Sequence, residues 1–322
     1  MPVVRWELIL LVLLGIVIAV NSSISHYFLN LGNILFSTFN FTEQAIMALS
    51  MMFVIIGGDI DISVASVLAL CSVFMGMAAQ AGASTVVLVL IGLGSGAALG
   101  LVNGLIIAGL DIPSIAVTLG GLSFYRGIAY VILGNGVYTN YPDSFAFFGQ
   151  GYIDPGGLFP FELALFVVCA AIFGVVLHLT TYGRKLFAVG NNPVSARFSG
   201  ISVNSIRLMN FVLSGLTAGV ASVLLTSRIG STRPDIASGW ELAVITTVVL
   251  GGVSIYGGEG NILGVIIGVF LLGFARFGLG LVNVPGQVAD IVTGFLLIVA
   301  VLLPGALSRL RSRQLVKSQQ QT

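Results

Sequence analysis

"VIIGGDIDISVASVLALC", residues 54–71, sets two carboxylates, Asp59 and Asp61, between apolar runs in a chain of 322 residues. Only 8% of the residues are charged, against about a quarter in a soluble domain. With 57% hydrophobic residues and a mean hydropathy of +1.08, the chain must be solvated mainly by lipid. The expectation is an all-α polytopic membrane protein. Within the quoted stretch, Gly57 and Gly58 break a helix and leave both aspartates in an irregular segment. Ser63, or Asp61 from slightly upstream, is then placed to cap the next span. The competing reading is a carboxylate that lines a path or grips another subunit, because ionisable groups inside a membrane favour function.

Working outward, a helical crossing needs about 20 apolar residues. Candidate spans lie at 7–22, 43–57, 62–80, 84–109, 114–133, 161–179, 208–228, 241–255, 261–282 and 287–305. The apolar run from Leu8 to Val20 lacks a convincing cleavage site and reads as a retained first helix. Those beside glycine-rich breaks read as half-helices or re-entrant segments. Arg5, Arg184, Lys185, Arg197, Arg207, Arg309, Arg311, Arg313 and Lys317 cluster in the N-terminus, the 180–208 loop and the tail 306–322, which places all three in the cytoplasm. The loop 134–159 carries Asp143 and Asp154 and no basic residue, so it faces outward. Ten spans with both termini inside satisfy every placement, and eight spans with two re-entrant segments satisfy it too. The whole of 1–322 reads as one transmembrane domain.

Glycines recur at intervals of four, at Gly96, Gly100, Gly104 and again at Gly260, Gly264, Gly268, which predicts close helix packing within the chain or between copies. "GGDIDIS" and "GGVSIYGGEG" precede the two glycine-spaced regions, and "LGLVN" occurs at 99–103 and 279–283. These echoes predict an internal repeat of two helix groups, as transporters often have.

Several function classes drop out. A net charge of +1 gives no case for nucleic acid. Cys71 and Cys169 sit in apolar runs without disulfide or metal spacing, and His26 and His178 are far apart. No Ser–His–Asp set, HExxH or phosphate-binding glycine loop is present. "GGD" at 57–59 fails the GxGD protease pattern because position 56 is Ile. An enzyme is not expected, and neither is a cofactor bound by this chain.

"DIPSIAVTLGGLSFYRG", residues 111–127, starts a span at Pro113 and carries Arg126 roughly 20 Å along the helix. Such an arginine needs an ion pair, one of the aspartates being a candidate partner, or a role in a polar path. Asp59, Asp61, Ser63, Thr118, Arg126 and Glu241 are the candidate path or gating residues. The segment 178–210 is too long for a simple turn. Asn192 is placed to cap, Pro193 to begin and Gly200 to close a short surface helix. That helix suits docking into a groove on a soluble partner or resting in the lipid interface.

"GNNPVSARFSGISVNSIRLMNFVLSGLTAGVASVLL" resembles the loop and following helix of monosaccharide ABC importer permeases, the ribose, arabinose, xylose, rhamnose and autoinducer-2 group. Gly190, Asn192, Ala196, Arg197, Gly200, Ile201 and Val203 match its pattern. "GDIDISVAS" resembles the family's G-G-I-D-L-S-V-G-S at Gly58, Ile60, Asp61, Ser63, Val64 and Ser66. "IPSIAVTLGGLSFYRG" and "GWELAVITTVVLGGVSIYGGEG" resemble two further blocks. The resemblance spans about residues 40–305. Asp59, Ala65 and Asn191 depart from it where glycine is usual, Ala243 replaces an acidic residue, and Glu259 stands where Arg or Ser is common.

The resemblance implies a permease of the bacterial inner membrane, paired with a second copy or a paralogue. It implies two ABC ATPase subunits, which hold ATP and Mg, on the inside and a periplasmic sugar-binding protein outside. Asn191, Asn192, Pro193, Ala196, Arg197, Gly200 and Ile201 would form the coupling segment. Loops 134–159 and 229–240 would meet the binding protein, with Arg228, Arg233 and Asp235 at the rim. "SRIGSTRPDIASGWEL" is most similar to the rhamnose and autoinducer-2 branches. The rival reading is a secondary sugar transporter coupled to protons through Asp59, Asp61 or Glu241.

Overall fold

The computed structural model describes residues 6–25, 28–292, 294–295 and 298. Their regular structure is helical, apart from two isolated bridges. The helices are α1 (Trp6–Ile24), α2 (Leu31–Ser37), α3 (Thr42–Ile56), α4 (Val64–Gln80), α5 (Thr85–Leu110), α6 (Ser114–Leu133) and α7 (Phe147–Gln150). They continue with α8 (Phe161–Leu179), α9 (Thr181–Asn191), α10 (Pro193–Phe198), α11 (Val203–Ile229), α12 (Trp240–Leu250) and α13 (Ile262–Leu281). Helix resumes at 286–292. Most of the span expected at 287–305, and all of the tail 306–322, lie outside the described residues, as do Arg5 and His26.

Among the described residues six helices, α1, α5, α6, α8, α11 and α13, are long and apolar enough to cross a membrane. A seventh crossing results if Leu31–Asn40 and α3, bent by 60° at their junction, count as one. The sequence spacing predicts ten. The difference lies in α4 and α12, with 17 and 11 residues, each shortened at a glycine-bearing break, and in the span expected at 287–305, most of which lies outside the described residues.

α3 forms the centre: every residue from Ala45 to Ile56 is buried. It packs on α11, α12 and α8. α5 and α11 lie side by side and antiparallel, and glycine is the reason they come so close. A Cβ on Gly96 or Gly100 would strike the carbonyl oxygen of Gly215 or Phe211, and one on Gly215 would strike that of Gly96. The glycine spacing therefore serves packing inside the chain, because the backbones touch where any side chain would separate them.

The contacts define two ends of the bundle. At one, Trp6 Nε1 donates to the Leu250 carbonyl at 2.9 Å, Glu7 meets Asn261, and Asn191 meets Gly258. The start of α1 thus shares this end with α9, α10 and the 251–261 turn. At the other, Asn21 donates to the Phe274 carbonyl, Arg228 reaches Glu43, and Tyr138 bridges Thr232.

Two segments enter the bundle from opposite ends. Residues 57–63 fold back from the first end, and α4 starts only where Asp61 meets Ser214 and Ser63 meets Asn103, well inside α11 and α5. Residues 230–239 descend from the second end to the start of α4, and α12 continues from there to the first end, where Leu250 meets Trp6. Irregular backbone at membrane depth is tolerated where protein covers it and its polar groups find partners.

Candidate translocation and coupling site

At the first end, Arg207 of α11 holds Asp59 with two parallel bonds, Nε to Oδ2 and Nη2 to Oδ1, both 3.0 Å. Its Nη1 reaches Asp111 Oδ1 at 3.1 Å. Asp59 is 2% exposed, so this forked pair compensates a charge that burial would otherwise penalise heavily. The aspartate that departs from the expected glycine is matched by an arginine that sequence reasoning counted only as a marker of sidedness.

α9 ends against both breaks. A Cβ on Gly190 would collide with the Ile56 carbonyl and with the Gly258 amide, and the Gly258 N–H donates to that same carbonyl at 2.9 Å. Asn191, the other departure from glycine, donates Nδ2 to the carbonyls of Phe187 (3.0 Å) and Gly258 (3.3 Å). Asn192 Oδ1 accepts from Ser195 N–H at 2.9 Å with Pro193 in the first turn, and Ile201 N–H returns to the Ala196 carbonyl. This is the short surface helix expected from the sequence, capped at both ends. It presents Val194 and Phe198 outward, Phe198 being 90% exposed, while Ala196 is buried. Arg197 donates to Asn204 at 3.3 Å and lines an open groove of about 460 Å³ with Asp111, Ile201 and Ser202.

Deeper in, Asp61 organises a buried polar chain. Its Oδ1 accepts from the Ser63 amide (2.9 Å) and hydroxyl (2.6 Å), and its Oδ2 from Ser214 Oγ (2.7 Å). Asn103 Nδ2 donates to Ser63 Oγ at 2.9 Å, and Tyr125 OH to Asn103 Oδ1 at 2.7 Å. Ser63 does occupy the N-cap position of α4, yet it makes no capping bond with its own side chain. Asp61 grips Ser63 itself, and through it ties the break to α5, α6 and α11. Thr118 Oγ1 donates to the Ile60 carbonyl at 3.2 Å, so it too pins the break.

Arg126 makes no ion pair with an aspartate. Its Nη1 donates to the carbonyls of Pro234 and Ile236, both at 2.7 Å, and its Nη2 to that of Ala65 at 3.3 Å. The guanidinium therefore bridges the first turn of α4 and the 230–239 segment, satisfying carbonyls that lipid could not. Glu241 opens α12 within electrostatic reach of Arg126, and its Oε2 is buried without a partner. Asp59, Asp61, Ser63, Thr118 and Arg126 thus meet along one line of contacts, from the first end to mid-bundle.

In the descending segment 230–239 Arg233 pairs with Asp235 at 3.1 Å, while at the second end Arg228 turns inward to Glu43 at 2.7 Å. Asp154 accepts from the amides of Leu158 and Phe159, which hold its carboxyl below the usual range. Asn103, Tyr125, Ser214, Glu43 and Glu162 are contributors that the sequence reasoning missed. Asn103 closes one of the two "LGLVN" strings. Each glutamate opens an apolar run in a chain with only 12 acidic residues, and that scarcity was the available signal.

A family model described as the permease component of the branched-chain amino acid transport system matches residues 33–301, and the chain belongs to that family. It is a transport subunit of a multi-pass membrane type, not an enzyme family. Over 303 residues, 92% of this chain and 91% of the relative, it is 38% identical to the autoinducer 2 import system permease protein LsrD of Escherichia coli strain K12. LsrD of Shigella flexneri and of Escherichia coli O157:H7 match to the same extent. The likeness to sugar-type importer permeases read from the four sequence blocks therefore holds. No solved structure matches the chain.

Proposed function

We propose that this chain is the membrane-spanning subunit of an ATP-driven, binding-protein-dependent importer in a bacterial inner membrane, carrying a monosaccharide or a sugar-like signal of the autoinducer-2 kind. The observation that carries the reading is the 38% identity to autoinducer 2 permeases over 92% of the chain. In this reading ten spans put both termini and α9–α10 in the cytoplasm. A second permease copy or a paralogue completes the path. Loops 134–159 and 229–240 receive the sugar-binding protein.

The permease does no covalent chemistry. ATP and Mg are held by separate ATPase subunits, whose closure presses on Val194 and Phe198. That force passes along α9 to Gly190 and Asn191, which touch Ile56 and Gly258. Both glycine-rich breaks then move together, and Arg126 couples the first of them, through the start of α4, to the segment 230–239. Binding energy on one side thereby shifts the population between inward- and outward-open states. Proton coupling through Asp59 or Asp61 finds no support, since Arg207 occupies the first and Ser63 and Ser214 the second.

Affinity purification of the tagged chain from native membranes tests the reading. The expected co-purifying protein is an ABC-type ATPase, lost when residues 192–200 are replaced by a flexible linker. A chain that purifies alone and still moves sugar under a proton gradient would refute it.

A further inference from the structure

Two glutamates at the second end take no part in the transport reading. Glu43 opens α3, Glu162 opens α8, and both are completely buried. Arg228, in the last turn of α11, donates Nε to Glu43 Oε1 at 2.7 Å. The other oxygen of Glu43 and both oxygens of Glu162 are buried with no hydrogen-bond partner. Glu162 lies within electrostatic reach of Glu43 and Arg228.

Among the described residues, the surrounding elements offer no further hydrogen-bond or ion-pair partner for these oxygens. Segment 143–150 contributes only the exposed Asp143, and α13 contributes Arg276, which pairs with Asp290 at 3.1 Å. Asp154 is engaged by its own turn. Two carboxylates and one guanidinium therefore leave one negative charge sealed in the bundle. A fold rarely keeps such a charge where none of its own donors offsets the lost hydration. Two carboxylates that share a site resolve this by keeping a proton between them.

We infer that Glu43 and Glu162 hold one resident proton, forming with Arg228 a neutral joint between the outer ends of α3, α8 and α11. As an acid, Glu162 supplies the donor that its environment lacks. Segment 143–150 is seated on this joint: the Gly149 amide donates to Ser227 Oγ at 2.8 Å, and Gln150 Nε2 to the Arg228 carbonyl at 3.0 Å. Arg228 also lines a pocket of about 340 Å³ with Phe36, Phe39, Asn40, Gln150 and Tyr152, through which the joint equilibrates with the outer solution. The proton is structural and is not carried across. Alkaline medium loosens this face and acid firms it.

The sign follows from linkage. An unfolded glutamate ionises near pH 4.3 or so, so above that pH folding takes up one proton. The folding equilibrium constant then falls about tenfold for each pH unit while the joint keeps its proton. The test is thermal unfolding of the full chain, in its purified complex in lipid nanodiscs, between about pH 6 and 9. The wild type should lose stability as pH rises, and Glu162→Gln and Glu43→Gln should each flatten that slope, because either change leaves one carboxylate against Arg228 and no proton to hold. An unchanged slope in Glu162→Gln would overturn the inference. So would stabilisation by sodium or potassium at fixed pH that Glu162→Gln abolishes, because an alkali cation would then fill the site. If Glu162→Gln does not fold, infrared spectroscopy of the wild type decides: a protonated-carboxyl band at neutral pH is expected, and its absence contradicts the joint. None of these readouts uses transport, so the inference fails or stands apart from the proposed function.

Discussion

Asp61 and Glu162 are equally shut away, 2% and 0% exposed, yet their surroundings are opposites. Asp61 has three donors aimed at its two oxygens, supplied by Ser63 and Ser214. Glu162 has none. The first is a carboxylate whose donors are built in where the inner break meets α11. The second has only the charges of Glu43 and Arg228 for company. Burial alone therefore does not tell what a carboxylate does in a membrane bundle; the count of donors around it does. Asp59 stands between the two, compensated by one forked guanidinium rather than by hydroxyls and amides.

That comparison yields a ranked set of outcomes. Arg207→Gln strands the buried Asp59 and should cost about 3–5 kcal/mol, seen as loss of folded protein on gel filtration; adding Asp59→Asn should recover part of it. Asp61→Asn keeps the shape but turns a donor toward Ser63 or Ser214. It should lower stability by about 1–3 kcal/mol, measured as a drop in Tm. The same chemical change at Glu162, Glu162→Gln, should raise stability near neutral pH, because the folded wild type must take up a proton there that the amide does not need. Equal losses at the two positions would erase the contrast. The smallest effect belongs to Asp154, an anion held by backbone amides outside the membrane. Its carboxyl is depressed below 3.8, so its contribution is present above that pH and fades as pH falls through the lowered folded value. Hydrogen exchange at Leu158 and Phe159 should accelerate only in that acid window, and Asp154→Asn should show the fast exchange at neutral pH.

Much of the bundle was legible from hydropathy. The runs expected at 84–109, 114–133 and 161–179 became Thr85–Leu110, Ser114–Leu133 and Phe161–Leu179, because uninterrupted apolar residues of that length have one stable form in lipid. The start of α11 was not legible: the expected span begins at 208, while helix begins at Val203, since Asn204 and Arg207 prolong it through polar residues. α9 was read as loop for a related reason. Arg184 and Lys185 mask a helix whose buried residues are Gly183, Leu186 and Val189. The caps of α10 were readable because Asn-Pro and a closing glycine act locally. The partners of Arg126 were not, since carbonyls from residues 65, 234 and 236 meet only in three dimensions.

The most direct measurement is sugar uptake into proteoliposomes holding the purified complex and its binding protein, with ATP supplied on the α9–α10 side and the proton gradient collapsed. The account predicts uptake that needs ATP and stops when Asn191 and Phe198 are both replaced by alanine, although the complex stays folded. Uptake that persists without ATP and follows an imposed proton gradient would contradict it.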